Sequence, residues 1–287
     1  MNLFDLKGKK ALVPGGYGGI GGAIAQGLCE AGASVVVAGR SESKAAALAG
    51  FLAEAGGAAH GIELDGESVE SISAGVDRAA QLLGGLDILV NCIGRNREQR
   101  LGEVTPETFD EIYRTNLRSA MFLAQAAARH QGTGGKQVHL LSVRSQLGMR
   151  GYGYSAYCAT KGALVMLVKQ HALELAARGI NVNGIAPTVV LTDAAEKWRT
   201  DEQRWNALLA RIPLGRVAQP ADIVGATIFF CSPASDFVTG QVLYRDVDPR
   251  LHRPAGLSVL AHLEDLVASG KVASEGLPTV EGRFYPA

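Results

Sequence analysis

Tyr157 and Lys161 are four residues apart inside a segment of helical pattern, which sets a phenol and an ammonium on one helix face. A free phenol titrates at about 10 and exchanges protons poorly at neutral pH, whereas a neighbouring cation favours its phenolate. Such a pair suits general acid–base work. Ser142 closes an apolar strand-like run upstream, where its hydroxyl can meet a substrate carbonyl. Asn116, in Thr-Asn-Leu-Arg-Ser119, falls in mid-helix, where an asparagine is ordinarily just a tolerated polar residue. Tyr-x-x-x-Lys alone is common by chance, so its weight depends on its surroundings.

The second chemical signal is glycine. Pro14-Gly-Gly-Tyr-Gly-Gly-Ile-Gly21 follows the first apolar run and leads directly into a helical pattern. Glycines there let the backbone turn sharply and approach a pyrophosphate, and the helix N-terminus supplies free N–H groups. Gly15, Gly19 and Gly21 are spaced G-x-x-x-G-x-G, which in isolation also fits a plain strand–helix turn. The second strand ends Val37-Ala-Gly-Arg40-Ser41. An acidic residue at this place favours NAD, and an arginine accommodates a 2′-phosphate; here Gly39 replaces the acid and Arg40 with Ser41 follows. Asp65 ends the third strand, placed either to accept from an adenine amino group or to cap the next helix.

Positioning these groups requires an ordered sheet. Short apolar runs over residues 10–13, 34–38, 59–64, 86–91, 137–142, 181–185 and 241–244 read as strands. They lack clean polar alternation, as strands covered on both faces do. Helical patterns occupy 19–31, 43–55, 68–83, 106–130, 154–178 and 220–231, with Pro106 and Pro220 at first helical positions. The βαβ rhythm predicts an α/β fold with a doubly wound parallel sheet and right-handed crossovers.

Composition sets outer limits. The chain has 287 residues, 47% hydrophobic and 20% charged, with 28 basic against 28 acidic side chains. Balanced charge argues against bulk attraction to nucleic acid or an anionic membrane. Four cysteines (Cys29, Cys92, Cys158 and Cys231) lie far apart without a CxxC, against a disulfide framework or a structural zinc site. No run of 18 apolar residues occurs. The expectation is a cytoplasmic globular protein with no metal and no membrane or nucleic-acid partner.

Taken together, the motifs resemble the short-chain dehydrogenase/reductases across residues 5 to about 246. The matching stretches are Gly15-x-x-x-Gly19-Ile-Gly21, Asn91-Cys-Ile-Gly94, Asn116, Ser142, Tyr157-x-x-x-Lys161, Asn183 and Pro187 to Thr192. Ile212-Pro-Leu-Gly-Arg and Val238-Thr-Gly-Gln-Val242 are similar to the family's C-terminal half. The resemblance implies a Rossmann-type seven-stranded sheet of order 3-2-1-4-5-6-7. It implies Tyr157 as general acid/base, with Lys161 lowering its pKa and holding the nicotinamide ribose. Ser142 would orient the substrate oxygen, and Asn116 would support a proton-relay water. Cofactor contacts would come from Gly15, Tyr17, Gly19, Ile20 and Gly21 in the loop and from Arg40, Ser41 and Asp65 at the adenosine end. Asn91, Gly94, Pro187 and Thr192 would complete them, with Thr192 at the nicotinamide amide.

The chain also departs from the pattern. Pro14 replaces the usual Thr or Ser before the loop, and Ser142 lies about two residues further from Tyr157 than is usual, leaving Ser145 as a rival. The expected activity is alcohol–ketone interconversion, with NADP(H) preferred and NAD(H) possible; the alternative is an NADP(H)-binding regulatory or scaffold protein on the same fold. Gluconate 5-dehydrogenases and 3-oxoacyl reductases are the members it resembles, and Arg95, Arg97, Arg100, Arg144 and Arg150 around the expected mouth would suit a substrate carboxylate or phosphate. The resemblance also implies a homodimer or homotetramer, packed through the helices over 106–130 and 154–178. Residues 249–287 read as an extension: an amphipathic helix with Leu257, Leu260, Leu263 and Leu266, then a short hairpin.

Overall fold

The computed structural model describes residues 3–149, 152–192, 199–245, 272–274 and 284–286. Seven parallel strands form one sheet: β1 Lys10–Pro14, β2 Ser34–Gly39, β3 Ala58–Glu63, β4 Ile88–Asn91, β5 Lys136–Leu140, β6 Asn181–Pro187 and β7 Val242–Arg245. Their spatial order is β3-β2-β1-β4-β5-β6-β7, the doubly wound arrangement expected. The order reverses between β1 and β4, which pair through Ala11 with Ile88 and Leu12 with Leu89. A crevice opens beyond the carboxyl ends of strands at such a switch point.

Central strands are buried on both faces because successive side chains alternate. In β2, Val35 and Val37 join the core beneath α1 (Gly19–Glu30), α2 (Glu42–Glu54) and the last long helix. Val36 and Ala38 join the opposite core, beneath α3 (Val69–Leu83) and α5 (Ser119–His130). A third cluster joins α6 (Ser155–Ala176) to β6 through Leu164, Val168 and Ala172 against Val182 and Ala186. Edge strand β3 differs from the expected continuous apolarity: Ala58 and His60 on one face are exposed, while Ala59 and Gly61 on the other are covered by α2 and the core beneath it.

Two helical regions differ from expectation. The predicted helix over 106–130 is divided into α4 (Pro106–Tyr113) and α5 by a π-helical turn at Arg114–Arg118. An unpredicted α7 (Glu202–Leu209) precedes α8 (Pro220–Cys231) and buries Leu208 with Ile212 and Val217. Beyond the sheet, β8 (Val272–Ser274) pairs antiparallel with β9 (Phe284–Pro286). The predicted tail helix and Arg150 lie outside the described residues. No helix of the described residues is long and apolar enough to cross a membrane.

Candidate active site

The glycine loop leaves β1 and turns over the switch point. Gly15 has φ +75°, and an added Cβ would lie 2.9 Å from the Cys92 carbonyl carbon, so only glycine fits. The first turn of α1, with Gly19, Ile20 and Gly21, has no side-chain cap and no acidic residue. Its amides are left to an anion. Thr192 packs over this turn: a Cβ on Gly19 would meet its methyl at 2.7 Å.

A cleft of about 310 Å³ runs from this loop to the ends of β2 and β3, lined by Gly15, Tyr17, Gly39, Arg40, Asp65 and Gly94 among others. At its far end Arg40 is exposed. The Ser41 N–H donates to the Tyr17 hydroxyl at 3.1 Å, and the Tyr17 ring covers Gly39. An added Cβ on Gly39 would stand 2.4 Å from Tyr17 Cε1. The missing acid after β2 therefore has a steric counterpart in Tyr17. Of the two readings of Asp65, capping falls away: Ser68 caps α3 by accepting from the Ser71 N–H, while Asp65 Oδ1 accepts from the Glu67 N–H. Asn91 is buried, accepting from the Ile93 N–H at 3.0 Å and facing His139 Nδ1 at 3.4 Å. Its side chain thus fixes the backbone of the cleft wall.

A second cleft of about 440 Å³ is lined by Ser142, Arg144, Tyr154, Tyr157, Val189 and Thr192, and both clefts include Gly94 and Arg95 in their walls. They meet there. Pro187, at the end of β6, is buried beside Thr188, which also lines the second cleft.

Ser142 ends the loop after β5 and caps the following 3₁₀ turn, its Oγ accepting from the Arg144 N–H at 3.2 Å. Ser142 and Tyr157 both line this second cleft. Ser145, the rival, instead pairs with the Tyr244 hydroxyl at 3.0 Å. Burial pushes the Tyr157 phenol above its ordinary value, while the nearby Ser142 hydroxyl and the Arg144 charge pull it down. Lys161 lies 5.8 Å from the Tyr157 ring centre, and its ammonium donates to the Leu140 carbonyl at 2.7 Å. Burial pushes this ammonium down to about 8. The Arg144 guanidinium is a second cation near the phenol, beside the Lys161 that sequence reasoning assigned there. The only sequence signal for it was an arginine two residues after the strand-ending serine.

Asn116 is fully buried in the π turn. Its Oδ1 accepts from the Arg95 N–H at 2.7 Å, and its Nδ2 donates to the Arg95 carbonyl at 2.9 Å and to Thr160 Oγ1 at 3.2 Å. It clasps the loop at the junction of the clefts and ties it to α6. Among the described residues no group of His, Cys, Asp and Glu is placed to hold a metal ion.

A family model described as "Enoyl-(Acyl carrier protein) reductase" matches residues 16–247, and a second, "Beta-lactamase associated winged helix domain", matches 241–280. Gluconate 5-dehydrogenase of Gluconobacter oxydans is 39% identical over 249 residues, covering 85% of this chain and 96% of its own. The 3-oxoacyl-[acyl-carrier-protein] reductase FabG of Vibrio cholerae is 38% identical, covering 84% and 96%. The crystal structure of a gluconate 5-dehydrogenase from Burkholderia cenocepacia, in complex with NADP and tartrate, is 38% identical with a TM-score of 0.82, covering 85% and 96%. A match spanning almost the whole sheet, with relatives aligned over most of both chains, places this protein: it belongs to the short-chain dehydrogenase/reductase family.

Proposed function

We propose that the protein is an NADP(H)-dependent oxidoreductase that interconverts a secondary alcohol and a ketone on a polyhydroxy acid. The observation that carries this reading is the junction of the two clefts at Gly94 and Arg95, with Tyr157 and Ser142 both lining the second cleft. The glycine cradle and the uncapped α1 terminus fit a pyrophosphate, and Arg40 with no acid at Gly39 fits a 2′-phosphate. When bound, the nicotinamide supplies or accepts the hydride.

The remaining chemistry belongs to the chain. In reduction, the Tyr157 hydroxyl gives its proton to the carbonyl oxygen while Ser142 donates a hydrogen bond to the same atom. In oxidation, the Tyr157 phenolate takes the alcohol proton. Lys161, beside Gly94, would hold the nicotinamide ribose, and Asn116 keeps the intervening loop in place. The names of the gluconate 5-dehydrogenase relatives support the substrate class, and the tartrate in the Burkholderia structure is a small hydroxy acid. The V. cholerae relative supports a second reading, a 3-oxoacyl thioester as substrate. A homodimer or homotetramer in the cytoplasm completes the proposal.

The test is turnover with NADP+ on gluconate and related hydroxy acids, and with NADPH on their oxo acids and on 3-oxoacyl thioesters. Tyr157→Phe should lower kcat by about 10²- to 10⁴-fold with NADP+ affinity retained. Equal turnover in that variant would remove Tyr157 from the chemistry, and activity on thioesters alone would favour the second reading. NADPH binding without turnover on any substrate would leave a regulatory or scaffold protein.

A further inference from the structure

Arginines around a cleft are ordinarily solvated or paired, and two of those here are paired. Arg95 and Arg97 both bond the Glu111 carboxylate. Arg144 is in a different position. It sits two residues after Ser142 in the 3₁₀ turn, half-buried, with its Nη1 donating only to the carbonyls of Leu147 at 3.3 Å and Gly148 at 3.0 Å. Among the described residues no ion pair includes it, although Glu98 lines the same cleft. Burial pushes its pKa down, and its charge acts on Tyr154, Tyr157 and Cys158.

A guanidinium withdrawn from water without a carboxylate partner is costly, and the cost falls when an anion arrives. Its five N–H donors form a planar fork, and two carbonyls occupy part of it. The cleft it lines also contains Ser142 and Tyr157. An anion bound there lies within one side chain's reach of the proton-transfer group.

We infer that Arg144 binds the carboxylate of the substrate and so places an alcohol or ketone carbon of the same molecule against Tyr157 and Ser142. This rests on the polyhydroxy-acid reading above and names the residue that selects acids over neutral polyols. Arg95 and Arg97, held by Glu111, shape the wall without binding the acid.

The probe is tartrate against threitol, its neutral tetrol counterpart, titrated calorimetrically into the protein saturated with NADP+. The wild-type protein should bind tartrate about 10- to 100-fold more tightly than threitol, the range of a charge-assisted hydrogen-bonded contact. Arg144→Gln should abolish that difference while NADP+ affinity stays unchanged, which also reports that the variant is folded. Arg144→Lys, keeping charge without the fork, should retain a smaller preference, and it decides the matter if Arg144→Gln does not fold. Turnover of gluconate by the wild type together with an undiminished tartrate preference in Arg144→Gln would overturn the role of Arg144 and leave the reading standing. A wild-type protein that shows no preference for tartrate and turns over no hydroxy acid would overturn both.

Discussion

Lys161 is fully enclosed beside Gly94, its ammonium satisfied by a single carbonyl at Leu140. Desolvation is the main cause of its fall from 10.5 to about 8. Between those values the unfolded chain binds more protons than the folded one, so stability rises with pH through that window; below about pH 8 the buried charge costs stability. Lys161→Met should therefore raise the melting temperature of the cofactor-free protein at pH 7, by up to about 3 kcal/mol of stability, and the gain should vanish above pH 10.5. Thermal melts at pH 7 and pH 10.5 check this; an equal or lower melting temperature at pH 7 would show that the ammonium is adequately solvated. Gly39 presents a second residue-scale conflict. An aspartate there, the acid that favours NAD, must displace the Tyr17 ring from 2.4 Å and break its bond to the Ser41 N–H. Gly39→Asp alone should weaken NADPH about 10-fold or more without improving NADH, and NADH should gain only when Tyr17→Ala is added. Fluorescence titration of both nucleotides against the three proteins reads this directly, and an NADH gain in the single variant would contradict it.

At the scale of elements, strands and glycine punctuation were legible because their signals are local. A run such as Val35-Val36-Val37 must be covered on both faces, and the structure divides it between two cores. Ser142 was preferred over Ser145 because Arg144, at the usual spacing from Tyr157, carries no hydroxyl, and in the structure Ser145 pairs with Tyr244 while Ser142 lines the cleft with Tyr157. The π turn at Arg114–Arg118 was not legible. Its sequence carries no proline or glycine, and helical propensity is the same for a single wide turn as for the helix on either side. What marks it is tertiary: Asn116 turned onto both backbone groups of Arg95, a partner 21 residues away that no local pattern announces. α7 was missed because its single buried leucine, Leu208, is covered by Ile212 and Val217 rather than by the sheet. The pairing of Arg95 and Arg97 with Glu111 was equally hidden, since ion pairs between a loop and a helix leave no periodic trace. That pairing separates Arg144 from its neighbours.

At the scale of the whole molecule, the question is what covers the outer surface of α4, α5 and α6. Met166 and Leu173 on α6 are 61% and 75% exposed, and seven residues apart they share a helix face. Phe109 and Tyr113 on α4 and Met121 on α5 are also exposed, and α4 packs beside α6. Scattered apolar residues are ordinary on a surface, but large ones gathered on adjoining helices suit an interface. A symmetric helix-to-helix interface would bury them against their own copies, since a twofold contact uses one patch on both partners. The proposed dimer or tetramer should therefore be seen by analytical ultracentrifugation at micromolar concentration. Met166→Asp with Leu173→Asp should shift it to monomer, because like charges would meet across the twofold axis in a desolvated contact. Both substitutions fall on outward positions, so the fold should survive, as circular dichroism and NADPH binding would report. A wild-type monomer at these concentrations, or a double variant that still assembles, would move the interface away from α6.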